Sequence, residues 1–268
     1  MKKSIAWILT VIMMLALLTG CGSKSAKSDT EYVKKNGKLI VGITDYEPMD
    51  YKDENGEWTG FDAEFARMFA KELGVDCEFF VIADWGQKFF ELDSKNIDAI
   101  WNGMTITDEV TLNTSCSNPY VVNAQVVIMK ADVVGNYTST DSLKDLTFAV
   151  ESGSAGEDAA EELGATTVPV QSQANTLMEV ASGTSDAAVI DVLMAAEMTG
   201  EGTSYADLIY SLNLNEAQDL PSEEYGVGFR QGSDLVDAFN TFLAEKTADG
   251  TVLEVATTYG LQDAVILE

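Results

Sequence analysis

The clearest periodic signal in the chain is a run in which Phe61, Phe65, Met68, Phe69 and Leu73 fall on one face of a helix, with Gly74 placed to stop it. Ahead of it, KLIVGIT (38–44) predicts a strand, and MDYKDENGEWTG (49–60) predicts a hairpin turning at Asn55-Gly56. Behind it follow a strand at CEFFVIA (77–83), a helix at WGQKFFEL (85–92) and a strand entering a loop at IDAIWNG (97–103). A second set of strands is predicted at AQVVIMK (124–130), LTFAVES (146–152), TTVPVQS (166–172) and DAAVID (186–191), with helical stretches at 155–163 and 174–182. Past YGVGF (225–229) come two more helical stretches, 233–246 and 251–259. Such alternation predicts α/β layers built on largely parallel sheets.

In open α/β sheets ligands sit beyond the carboxyl ends of strands. Three segments occupy that position here: TDYEP, WNGMTIT and ESGSAG. Gly153, Ser154, Ala155 and Gly156 stand where a strand gives way to a helix, so their N–H groups suit a carboxylate or simply form a turn. Asp191 ends a strand and has two readings, a receiver for an ammonium group or an N-cap for VLMAAEM. Tyr46, Trp85 and Trp101 lie at or near strand ends, outside regular apolar stripes, although a single aromatic is more often core than platform. Acidic pairs such as Glu161/Glu162 and Glu223/Glu224 read as solvated faces.

The first twenty residues stand apart. Lys2 and Lys3 precede an apolar run from Ile5 to Leu18, an export-signal pattern too short for a comfortable permanent span. The run ends in Leu18-Thr19-Gly20-Cys21, which resembles the bacterial lipobox, where cleavage before the cysteine leaves a thiol carrying diacylglycerol. The expectation is a signal peptide over 1–20, then lipidated Cys21 and a flexible tether to residue 35. Setting aside Lys2 and Lys3 leaves 14 of the 16 basic residues against 44 acidic ones, a net of −30. Such a surface repels nucleic acid and anionic lipid. The chain has no histidine, which removes the commonest general base and the commonest metal ligand. It has no G-x-S-x-G and no Walker-type loop, and DENGE fails as a calcium loop because Tyr51 stands at the first ligand position. No cofactor is called for. Cys77 and Cys116 leave pairing open.

Taken together, LIVGITDYEPMDYKDENGEWTGFDAEFARMFAKELG, IDAIWNGMTIT, CSNPY, FAVESGSAGED, SDAAVID and YGVGFRQGSD resemble family 3 of the extracellular solute-binding proteins over about residues 36–260. The resemblance implies a two-lobed, periplasmic-binding-protein-like α/β fold whose lobes, 36–124 plus 226–268 and 125–225, are joined by two crossover strands and close as a hinge. YVVNAQ and EEYGVG would carry the crossovers. It also implies a monomer that hands an amino acid or a close amine-bearing molecule to the permease subunits of an ABC importer from outside the cytoplasmic membrane. By position, Tyr46 and Trp85 match cleft aromatics, Gly103 a carbonyl acceptor and Thr105 a donor to the ligand carboxylate. Ala155 after Ser154 matches a backbone N–H donor, and Asp191 the partner of the α-ammonium.

One position departs from the pattern. The arginine that grips the ligand's α-carboxylate in relatives is replaced by Val110, with unaltered spacing from Thr107 to Pro119. Glu151 is a second departure, at a place where some relatives carry a cation. The remaining arginines, Arg67 and Arg230, do not map to the pocket. A bidentate arginine makes two charge-assisted bonds of about 1.5–3 kcal/mol each, so its loss is large. Three explanations are open. Thr105 and the helix-opening N–H groups hold the carboxylate alone, a lysine or the Asn102 amide replaces the arginine, or the ligand is a carboxylate-free cation. Tyr46, Trp85, Trp101 and Asp191 would suit that cation. Dehydratases on this fold need a carboxylate clamp, which the missing arginine argues against. Sensors on it usually carry a membrane-spanning segment, and none follows Tyr259.

Overall fold

The structure is a computed structural model describing residues 28–267, and it opens on a helix, α1 (Asp29–Asn36). The polar run was expected to stay a flexible tether to residue 35; instead Ser28 caps α1 by accepting the Glu31 N–H at 3.0 Å, and Gly37 ends it in a left-handed conformation. Val33 is fully buried and Asp29 pairs with Arg230, two distant contacts that a local polar pattern does not disclose. The expected signal peptide, Cys21 and the start of the tether lie outside the described residues.

The chain continues through β1 (Lys38–Ile43), the short hairpin β2 (Tyr51–Lys52) and β3 (Trp58–Thr59), α2 (Phe61–Leu73) and β4 (Asp76–Val81). A 3-10 turn at Trp85–Gln87 leads into α3 (Lys88–Asp93), followed by β5 (Ala99–Ile100), α4 (Asp108–Asn113) and β6 (Ser115–Cys116). Next come β7 (Val121–Asn123), β8 (Gln125–Lys130), β9 (Thr147–Glu151), α5 (Ala155–Glu162), β10 (Thr166–Val170), α6 (Gln173–Ser182) and β11 (Ala187–Asp191). The last part holds α7 (Val192–Met198), β12 (Leu208–Asn213), α8 (Leu214–Ala217), β13 (Glu223–Tyr225), β14 (Gly228–Phe229), α9 (Leu235–Ala248) and α10 (Thr251–Thr258).

Two five-stranded sheets organise these elements, in the orders β4-β1-β5-β14-β6 and β10-β9-β11-β8-β12. In each, three neighbouring strands are parallel and the other two join antiparallel. Pro169 sits in β10, an edge strand, where its missing N–H is tolerated. Cys77 and Cys116 lie on opposite edge strands of the first sheet, about 19 Å apart at the usual strand spacing, far beyond disulfide reach. The first core centres on Phe69, Trp101, Phe229, Phe239 and Phe242, whose rings meet mostly edge to face. The second sheet has its own core around Val127, Phe148, Val150, Val189 and Leu214.

The chain crosses between the sheets twice, at β7 and β13, and these pair antiparallel with Asn123 opposite Glu223 and Val121 opposite Tyr225. The C-terminal segment braces the same place: Val122 N–H donates to Ala264 O at 2.8 Å and Ile266 N–H to Tyr120 O at 2.9 Å. Just past the second crossover, Arg230 ties α1 to the first sheet. Its guanidinium donates to Asp29 at 2.9 Å, to Asp98 at 2.8 Å and to the Ile97 carbonyl at 2.7 Å. Arg230→Met should therefore destabilise the protein by about 3–5 kcal/mol, since Asp98 would be left charged, buried and unpaired. Urea unfolding reads this directly; an unchanged midpoint would show that Arg230 is not structural.

Candidate functional site

The carboxyl ends of β1, β5, β9 and β11 point toward one cleft between the two sheets. Its first wall is Trp85, Lys88, the loop Asn102–Thr105 and the start of α4, with Thr107, Glu109 and Val110. The second wall is Glu151, the turn Gly153–Ala155, Asp158, Gln173 and Asp191. Together they border about 440 Å³ of space, part of it open solvent.

Asp191 is the most elaborately held group. It is buried at the end of β11, and although it stands at the N-cap position of α7 its side chain makes no capping bond. Three side-chain amides hold it instead. Asn123 and Gln125 donate to Oδ1, the latter at 2.8 Å, while Gln173 donates to Oδ2 and accepts the Asp191 N–H at 2.9 Å. Behind it, Glu223 accepts from Gln125 at 2.8 Å and from Thr105 at 3.3 Å. Glu223 is thus a partner in a half-buried network, which corrects its reading as part of a solvated face; Glu161, Glu162 and Glu224 are exposed as expected. Burial, then the charge of Glu223, pushes the Asp191 carboxyl up to about 7 despite the amides that act to lower it. A carboxylate offers about four lone-pair directions, so three amides leave one for a ligand.

The residues singled out from sequence divide in two. Trp85, Asn102, Gly103, Thr105, Ser154, Ala155 and Asp191 border the cleft. Trp101 does not: it is 1% exposed and packs on Phe69 and Phe239 in the core, because its side chain alternates to the face opposite the site. Tyr46 lies beneath Gly103 rather than in the wall, with its hydroxyl on that of Tyr225 at 2.5 Å. A Cβ at position 103, where φ is +54°, would come within 2.6 Å of the Tyr46 ring, so only glycine fits. The Asn102 amide is engaged at both ends by Thr44, at 2.8 and 2.7 Å, and so braces β1 rather than standing free for a carboxylate. Ser154 uses its hydroxyl to cap α5, leaving the Ala155 N–H without an intrahelical acceptor.

Val110 is 2% exposed and packs with Trp85, Met104, Ile97 and Ile100, so the helix start that would present an arginine presents hydrocarbon. The cation in this corner is Lys88, which sequence reading invoked only as an unspecified lysine. It is 3% exposed; its ammonium donates to Gly153 O at 2.8 Å, across the cleft, and lies 5.4 Å from the Trp85 ring centroid. Burial lowers its pKa, opposed first by Glu109, the neighbour of Val110, and then by Glu151 and Asp158. Nothing in the pattern of WGQKFFEL marks Lys88, since its amphipathic spacing allows an outward lysine. Glu151, at the end of β9, is 3% exposed and its Oε1 has no hydrogen-bond partner. Burial, then Asp191, pushes it up to about 8, against the lowering effects of Lys88 and Thr44.

A cleft between two α/β layers joined at paired crossovers has counterparts among known proteins. The model of the bacterial extracellular solute-binding proteins, family 3, matches residues 39–262. The L-cystine-binding protein TcyJ of Escherichia coli is 30% identical, covering 90% of both chains. The arginine-binding extracellular protein ArtP of Bacillus subtilis is 32% identical, covering 93% of this chain and 94% of its own. Among solved structures, a mutant of ArgBP from T. maritima superposes with a TM-score of 0.78 at 28% identity, covering 86% of this chain and 98% of that one. AncCDT-1, an ancestral amino acid-binding protein and precursor of cyclohexadienyl dehydratase, superposes at 0.76 and 32%, covering 87% and 99%. The chain belongs to family 3 of the bacterial extracellular solute-binding proteins.

Proposed function

We propose that this protein is the extracytoplasmic solute-binding subunit of an ABC importer, a monomer anchored through lipidated Cys21, and that its cleft captures an amino acid. The observation that carries the ligand class is the pairing of Asp191 with Lys88 in one cleft. Asp191 keeps one lone-pair direction for an α-ammonium, and Lys88 keeps two of its three protons for an α-carboxylate. The Ala155 N–H and the dipole at the start of α5 add to that carboxylate site. The relatives named for cystine and arginine binding support the reading. Nothing in the cleft pairs a nucleophile with a base, so binding without turnover is the reading adopted.

A second reading is a carboxylate-free cation. Its support is that Val110 supplies no charge and that Glu109, Glu151, Asp158 and Asp191 outnumber Lys88 around the cleft. Calorimetric titration of the protein, stripped of co-purified ligand by unfolding and refolding, separates the two. An α-amino acid should bind and its decarboxylated twin should not; the reverse order would establish the second reading.

The same titrations give two mutational expectations. Lys88→Met should weaken amino-acid binding about ten- to hundredfold, the worth of one charge-assisted hydrogen bond. Asp191→Asn should weaken it at least as much. Loss of neither would remove both residues from the site.

A pH dependence follows from the buried acids. In the ligand-free protein Asp191 and Glu151 titrate at about 7 and about 8, above their ordinary values of 3.8 and 4.5. An acid whose pKa is raised by folding favours the folded state fully below its unfolded pKa, and that contribution is lost as pH rises through the folded pKa. Stability of the ligand-free protein should therefore fall from pH 4.5 to 8. Glu151→Gln should melt higher than the parent at pH 8.5 and near it at pH 4; a deficit at pH 8.5 would contradict this account.

A further inference from the structure

Glu151 has no task in the binding scheme above. It lies on the cleft wall, is 3% exposed, and leaves Oε1 without a partner. Lys88 shares the cleft but directs its ammonium to the Gly153 carbonyl at 2.8 Å rather than pairing with it. A buried carboxyl with an open oxygen is costly unless something arrives to pair with it.

Charge balance indicates what arrives. Inside the cleft mouth stand two acids, Asp191 and Glu151, and one cation, Lys88; Glu109 and Asp158 are exposed at its rim. A zwitterionic amino acid uses Asp191 and Lys88 and leaves Glu151 over. A ligand of net charge +1 with two cationic groups and one carboxylate matches all three.

We propose that Glu151 is a specificity-determining residue, a second carboxylate that receives a cationic side-chain group of the ligand while Asp191 receives its α-ammonium. The solute is then a basic amino acid, its far end carrying a guanidinium or an ammonium. This rests on the amino-acid reading of the cleft. The groups facing Glu151 are Asp191 from β11, Lys88 and Asp84 from the segment around the 3-10 turn, and Thr44 and Tyr46 beyond β1. Of these only Lys88 is cationic, and it is already bonded. Ligand binding supplies the missing positive charge, so Glu151 ionises and a proton is released to solvent.

The test compares isosteric pairs, L-arginine with L-citrulline and L-lysine with L-norleucine, by calorimetry on the refolded protein at pH 7 in two buffers of different ionisation enthalpy. In the parent protein one charged member should bind at least tenfold tighter than its neutral twin, with net proton release. Glu151→Gln should shrink that ratio about ten- to hundredfold and reduce the protons released. Glu151→Lys, which inverts the charge, should favour the neutral twin. Circular dichroism of each ligand-free variant confirms folding. Equal affinity for both members of each pair, or an equal loss for both in Glu151→Gln, overturns the role of Glu151 while leaving amino-acid binding intact. If no amino acid binds, charged or neutral, the functional reading itself fails and this inference with it.

Discussion

A carboxylate taken out of water at the end of β11 is the constraint around which the cleft is arranged. Burying Asp191 is unfavourable unless donors replace its hydration. The donors are amides from three different elements: Asn123 on the crossover strand β7, Gln125 on β8 and Gln173 at the start of α6. They position the acid without pairing it with a cation. Gln125 and Asn123 also reach Glu223 on the other crossover, which couples the acid to the hinge. The network around Asp191 thus spans the connection between the lobes.

The opposite wall solves a different problem. At the helix start where the family resemblance implied an arginine, Val110 extends an apolar cluster with Trp85. The positive charge enters from the neighbouring helix α3, as Lys88. Its ammonium lies over the Trp85 and Phe89 rings and reaches the Gly153 carbonyl. Beside that contact Gly153 approaches Gly86 so closely that a Cβ would meet its Cα at 2.6 Å. Lobe contact and charge placement thus coincide in this corner.

Much of the fold was legible. The helix from Phe61 to Leu73 and the strands at β1, β8, β9 and β11 follow from apolar spacing, because each buries a face or a whole strand against its own lobe. Other pieces left weaker marks. The strand β12, LIYSLN, sits at a sheet edge with only Leu208 of its six residues buried, so its pattern is diluted. Helix α1 is polar and depends on one buried valine and an ion pair with a residue about two hundred positions away. Strand and helix patterns are local; these contacts are not.

Sequence by itself determined the α/β layering and the family, and it marked the strand-end segments that border the cleft, since these reside in local pattern and spacing. Only the tertiary structure decided which of the marked side chains face the cleft. Trp101 and Asn102 are neighbours, yet alternation along the strand end sends one into the aromatic core and the other toward Thr44. Glu223 and Glu224 look alike in sequence, yet pairing of β13 with β7 turns one toward Gln125 and the other to solvent. Lys88 and Glu151 are buried in the cleft wall for the same reason. Burial is a property of what packs around a residue, and the packing partners come from parts of the chain far away in sequence.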